Sequence, residues 1–106
     1  MPKFMIEGSY TSDGIKGLVK DGGSGRRNAV EQTLKSMGGK LDAFYFVFGD
    51  TDAFVIADLP DNASAAAISL ATSAAGLVRT RTTVLLTPEE MDAATKKSVQ
   101  YRPPGT

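Results

Sequence analysis

The segment Phe44-Tyr45-Phe46-Val47-Phe48 runs through Gly49-Asp50-Thr51-Asp52 into Ala53-Phe54-Val55-Ile56-Ala57, and this hairpin constrains the fold more than any other part of the chain. Successive strand side chains point to opposite sides of a sheet, so a strand with one wet face alternates apolar and polar residues. Neither face of this hairpin is plainly polar. In a chain of 106 residues two helices can cover only one face of a sheet. A second copy is the simplest cover for the other. The expected state is therefore a homo-oligomer, dimer or higher, built from face-to-face dimers.

The rest of the chain supplies the other elements. Phe4 to Tyr10 reads as a strand, with Phe4, Ile6 and Gly8 on one face and Lys3, Met5, Glu7 and Ser9 on the other. A short segment, Ile15 to Lys20, has room for one or two helical turns, and Asp21-Gly22-Gly23-Ser24-Gly25 reads as a flexible loop. From Arg26 to Met37 the apolar residues Ala29, Val30, Leu34 and Met37 recur at helical spacing, ended by Gly38-Gly39. Strands are expected over Lys40 to Gly49 and Asp52 to Leu59. An alanine-rich helix follows over Ala63 to Ala75, then a strand over Leu77 to Leu86. Thr87-Pro88-Glu89-Glu90 has the spacing of a capping box and starts a third helix. Strand, helix, strand, strand, helix, strand is the ferredoxin-like βαββαβ order, an α+β fold with both main helices on one sheet face. Here it carries an appended C-terminal helix. All 106 residues are read as one domain. Two such sheets stacked face to face make a dimeric α/β barrel.

Composition removes several functions. Twelve basic residues balance twelve acidic ones, so no bulk field draws the chain to nucleic acid or anionic lipid. Without cysteine there is no disulfide, thiolate metal site or cysteine nucleophile. Without histidine the chain lacks the side chain best suited to proton transfer near neutral pH and the commonest metal ligand. The start, Met1-Pro2-Lys3-Phe4-Met5-Ile6-Glu7, has too short an apolar run for a signal peptide or membrane helix. A cytoplasmic bacterial protein with no membrane or nucleic-acid partner and no cofactor is the expectation. Asn62-Ala63-Ser64 matches a glycosylation sequon, but no secretory signal supports its use.

The chain resembles the GYD-domain proteins, a family of small bacterial proteins related to the dimeric α/β barrels. That family's hairpin reads G-x-Y-D before an apolar strand ending near Pro-Asp. Here the matching stretch is Gly49-Asp50-Thr51-Asp52, then Ala53 through Leu59 to Pro60-Asp61. The similarity extends to Gly38-Gly39 and to Val78-Arg79-Thr80-Arg81-Thr82. Thr51 stands where the family has its Tyr, so any role for that phenol is absent. The resemblance implies the fold and an oligomer, and implies no reaction.

Four groups of residues could carry chemistry. Arg79 and Arg81 alternate with Val78, Thr80 and Thr82, and should share the open sheet face with Glu7. Such a set could bind a small anionic ligand, or hold register between subunits as a salt-bridge network. Tyr45 joins that face if Phe44 and Phe46 lie beneath the helices, a register that a one-residue slip would reverse. Gly23, Gly25, Arg26 and Arg27 form a glycine-rich run into a helix, where backbone N–H groups and arginines favour an anion. The run fits neither nucleotide-binding glycine pattern, and a mobile loop with solvated arginines is the plainer alternative. Asp50 and Asp52 are too few ligands for a metal and read as turn residues. Two functions fit. One is a small-molecule-binding or structural oligomeric module without dedicated catalytic machinery. The other is a cofactor-independent, oxygenase- or isomerase-like barrel enzyme acting on a small anionic or aromatic substrate through Glu7, Tyr45, Arg79 and Arg81. The missing histidine favours the first.

Overall fold

The computed structural model describes residues 1–106. Its elements run β1 (Lys3–Tyr10), α1 (Ser12–Ser36), β2 (Lys40–Phe46), β3 (Ala53–Asp58), α2 (Asn62–Ala75), β4 (Val78–Leu85) and α3 (Pro88–Thr95). The four strands form one antiparallel sheet in the order β2-β3-β1-β4, the ferredoxin-like α+β arrangement. The C-terminal helix is appended as the sequence implied.

Phe4, Leu34, Leu41, Val55, Ala57, Leu59 and Ala65 make the core, with Ile6, Val30, Met37, Phe44 and Ile68 packed against it. Only 10 of 106 residues are buried, and none of them points from a strand to the other side of the sheet. That other side carries Met5, Glu7, Ala43, Tyr45, Phe54, Ile56, Arg79 and Arg81, so this face has no cover within its own chain. The alanines of α2 explain how its helix sits close to the sheet. Ala65 is buried there, and Ser69 Oγ lies 3.3 Å from Thr80 Oγ1 on β4.

The register of β2 depends on a bulge. Leu41 pairs with Ala57 on the helix side, then the pairing shifts at Asp42, so that Ala43 meets Ile56 and Phe44 meets Val55. One extra residue in one strand reverses the inward and outward sides beyond it. Phe44 and Phe46 therefore pack beneath the helices, their rings edge-to-face with centroids 5.0 Å apart. Tyr45 is left on the open face, 70% exposed.

Two local expectations are corrected. Asp21 to Gly25 is not a loop: α1 begins at Ser12 and runs to Ser36, interrupted only at Gly22, whose φ of 75° and ψ of 167° break one helical turn. Gly23 lies directly on Phe46, where a Cβ would come 3.1 Å from the ring, so this glycine serves close approach rather than mobility. The hairpin strands are also shorter than expected, ending at Phe46 and starting again at Ala53. The capping box stands as expected: Thr87 Oγ1 accepts from Glu90 N–H, and Glu90 Oε1 accepts from Thr87 N–H.

Beyond β4 the chain leaves the sheet. No residue of α3 is buried, and Pro88 to Thr106 is exposed throughout. The radius of gyration is 16.8 Å, against about 13 Å for a compact chain of this length. No helix is long and apolar enough to cross a membrane.

Candidate functional site

The open face brings four of the sequence-derived candidates onto one side without bringing all of them together. Tyr45, Phe54, Glu7 and Arg81 stand opposite one another across β2, β3, β1 and β4 in a single row. Arg79 lies one row along, opposite Ser9. Glu7 and Arg81 are neighbours, with Arg81 Nε 4.0 Å from Glu7 Oε2. Tyr45 is on the far edge strand, roughly 14 Å away at the usual spacing of strands. Phe54 lies within this row, and the next row towards Lys3 carries Ala43, Ile56 and Met5, so the centre of the face is largely apolar. At its other end Lys3 is held between Asp58 Oδ1 at 2.9 Å and Asp42 Oδ2 at 3.0 Å. Hydrogen bonds to Asp58 first and Asp42 second hold the lysine above its ordinary pKa. The arrangement is that of an apolar contact surface with charged borders.

The hairpin turn is structural. Asp52 Oδ2 accepts from Tyr10 N–H at 2.8 Å, and the Asp50 carbonyl accepts from Ser9 Oγ at 3.0 Å. Both residues tie the turn to β1.

A second region lies on the helix side. Between α1, α2 and the sheet there is a cavity of about 120 Å³ whose walls include Ile6, Val30, Phe44, Val55, Ile68 and Val78. Arg26 also lines it. Along α1 the residues Arg26, Val30, Thr33, Leu34 and Met37 recur at helical spacing on the sheet-facing stripe, so Arg26 occupies a position where the pattern calls for an apolar residue. Its Nε is buried without a hydrogen-bond partner. Its Nη1 turns towards Asp21 Oδ2 but stops at 3.9 Å. A buried donor left unpaired costs about 1–3 kcal/mol, and more when charged. Arg26 is the only charged residue among those lining the cavity, which also lacks any histidine, cysteine or carboxylate. Its threonine hydroxyls are already engaged: Thr33 donates to the Ala29 carbonyl, and Thr72 to the Ile68 carbonyl.

Of the glycine-rich run, Arg26 faces the cavity and Gly23 backs onto Phe46, whereas Arg27 is exposed. The Cβ of a residue at Gly25 would meet Asp21 Cβ at 3.4 Å, within the same tight turn. Sequence reasoning singled out Arg26 and set it at the start of a helix, but gave no sign that it faces a cavity. The cavity itself had no sequence signal beyond a charge on an apolar stripe, which the preceding glycines disguised.

A family model described as GYD domain matches residues 4–95 of the chain. No curated protein and no solved structure matches it.

Proposed function

From the premise that this chain belongs to the GYD-domain family, we propose that it acts as a homo-oligomeric small-molecule-binding module without catalytic machinery of its own. The observation that carries this reading is the cavity of about 120 Å³ between the helices and the sheet, largely apolar, with Arg26 and its unpaired buried Nε as its one charged lining residue. Buried polar groups in native proteins almost always have partners, and an orphan in a cavity invites one from outside. With no Asp, Glu, Lys, His or Cys in its lining, the cavity has no group poised to take a proton near neutral pH. That supports binding over acid–base catalysis, and over the alternative of a cofactor-independent enzyme.

The oligomer belongs to the same reading. Met5, Ala43, Phe54 and Ile56 give the open face an apolar centre, and stacking two such faces would remove it from water. Glu7, Tyr45, Arg79 and Arg81 would then sit at the borders of that interface, with Glu7–Arg81 as a register pair. A cytoplasmic, bacterial setting fits a chain built this way.

Native mass spectrometry of freshly purified protein tests the binding half. The expected spectrum shows the assembled chain carrying a small-molecule mass that is released on gentle activation. An assembly that never carries added mass, whatever the source or growth condition, would count against the reading.

A further inference from the structure

We infer that the cavity takes a small monocarboxylate with a compact apolar body, its carboxylate paired side-on with the Nε–Nη2 edge of Arg26. The inference rests on reading the cavity as a ligand site and names the chemistry that site selects.

Size sets the first limit. An engineered apolar cavity of about 150 Å³ holds one benzene molecule. A cavity of about 120 Å³ is smaller, so it takes an apolar body of at most about six heavy atoms and does not enclose a drug-sized ligand or a nucleotide. The walls set the second. Ile6, Val30, Phe44, Val55 and Ile68 present hydrocarbon, the hydroxyl protons of Thr33 and Thr72 are committed to helix carbonyls, Thr80 Oγ1 pairs with Ser69 Oγ, and Tyr10 is the one further uncharged polar side chain of the lining. The body of the ligand is therefore apolar.

Charge sets the third. Arg26 is the one charged group of the lining, and its only acidic neighbour is Asp21, 3.9 Å from Nη1 and beyond hydrogen-bond range. With Nη1 turned towards Asp21, the free edge of the guanidinium is the one shared by Nε and Nη2. Two parallel N–H donors on one edge match the two oxygens of a planar carboxylate. A phosphate dianion would bring a second charge and a third oxygen that the apolar walls leave unmatched. A neutral hydrocarbon would fill the space and leave Nε unpaired. The Arg26 side chain is 30% exposed, so the charged end of the ligand would lie on the side of the cavity nearer solvent.

The test uses benzoate and benzyl alcohol, which share a body of this size and differ in charge, titrated at pH 7 into the full-length protein and followed by calorimetry and by NMR of the Val30, Val55 and Ile68 methyls. Benzoate is expected to bind and to shift those methyls, with benzyl alcohol weaker by on the order of tenfold or more. Arg26→Met should weaken benzoate by on the order of ten- to a hundredfold and spare or improve benzyl alcohol. Asp21→Asn leaves Arg26 in place and removes its competing carboxylate at a half-exposed position, so it should tighten benzoate several-fold. Equal binding of both probes, unchanged by either substitution, would overturn the carboxylate assignment while leaving the cavity a ligand site. If neither probe shifts the cavity methyls, the ligand-site reading falls and the assignment with it.

Discussion

Asp61 shows how one side chain sets an element's start. Its Oδ1 accepts from Ser64 N–H at 2.7 Å, capping α2, and its backbone is extended as a cap requires. The hydrogen bond from Ser64 N–H, then that from the Ser64 side chain, hold the carboxyl below its usual pKa of 3.8. A lowered folded-state pKa means that the stabilisation is present above the unfolded value and lost as pH falls through the folded one. Asp61→Ala should therefore lower Tm at pH 7, and the gap from the native chain should close as pH drops below about 4. Asp61→Asn, which still caps, should stay near the native Tm at pH 7 in the same thermal scans. Gly14 sets a different constraint. A Cβ there would clash with the Leu77 carbonyl oxygen, which also receives Thr11 N–H. Chemical denaturation of Gly14→Ala should show a loss of roughly 1–3 kcal/mol. The capping box at Thr87 and Glu90 was legible because its partners are neighbours in sequence. The need for glycine at position 14 was not, because Leu77 arrives from the far end of α2.

At the scale of elements, the strands and helices and their order were readable from periodicity, and the boundaries were less so. The hairpin strands lost residues at the turn because Asp52 N–H donates to the Gly8 carbonyl while its side chain accepts from Tyr10 N–H of β1, a use of the chain that alternation does not encode. The register of β2 was left open by its sequence, since Phe44, Tyr45 and Phe46 are all amphipathic or apolar. The bulge at Asp42 decides it, and Lys3 stabilises the bulge by pairing with Asp42. Helix α1 was split in sequence by its glycines, yet only Gly22 leaves helical geometry. α3 raises the opposite question, being well capped but packed against nothing in its own chain. An eight-residue helix is marginal alone in water, and the proposed second copy would give it a surface to pack on. Removing Pro88–Thr106 should leave the far-ultraviolet circular dichroism of the sheet intact and lower the assembled fraction at micromolar concentration. An unchanged assembled fraction would show that the arm takes no part in assembly.

The whole molecule is a sheet half finished. One face carries every buried strand residue; the other shows Met5, Phe54 and Ile56 in the middle of charged borders, with Tyr45 at one edge. That asymmetry was already visible in the two-faced hairpin, because alternation alone reveals whether either face is polar. The helix-side cavity was not visible, since it depends on how far α1 and α2 stand apart over the sheet. A second copy is proposed to close the open face. Light scattering on the full chain at low micromolar concentration tests it most directly, beside Ile56→Asp, which puts a charge at the centre of that face. The native protein is expected at no less than twice the 11.2 kDa chain mass, and Ile56→Asp at the single-chain mass. A native protein that scatters as a monomer throughout that range would contradict it.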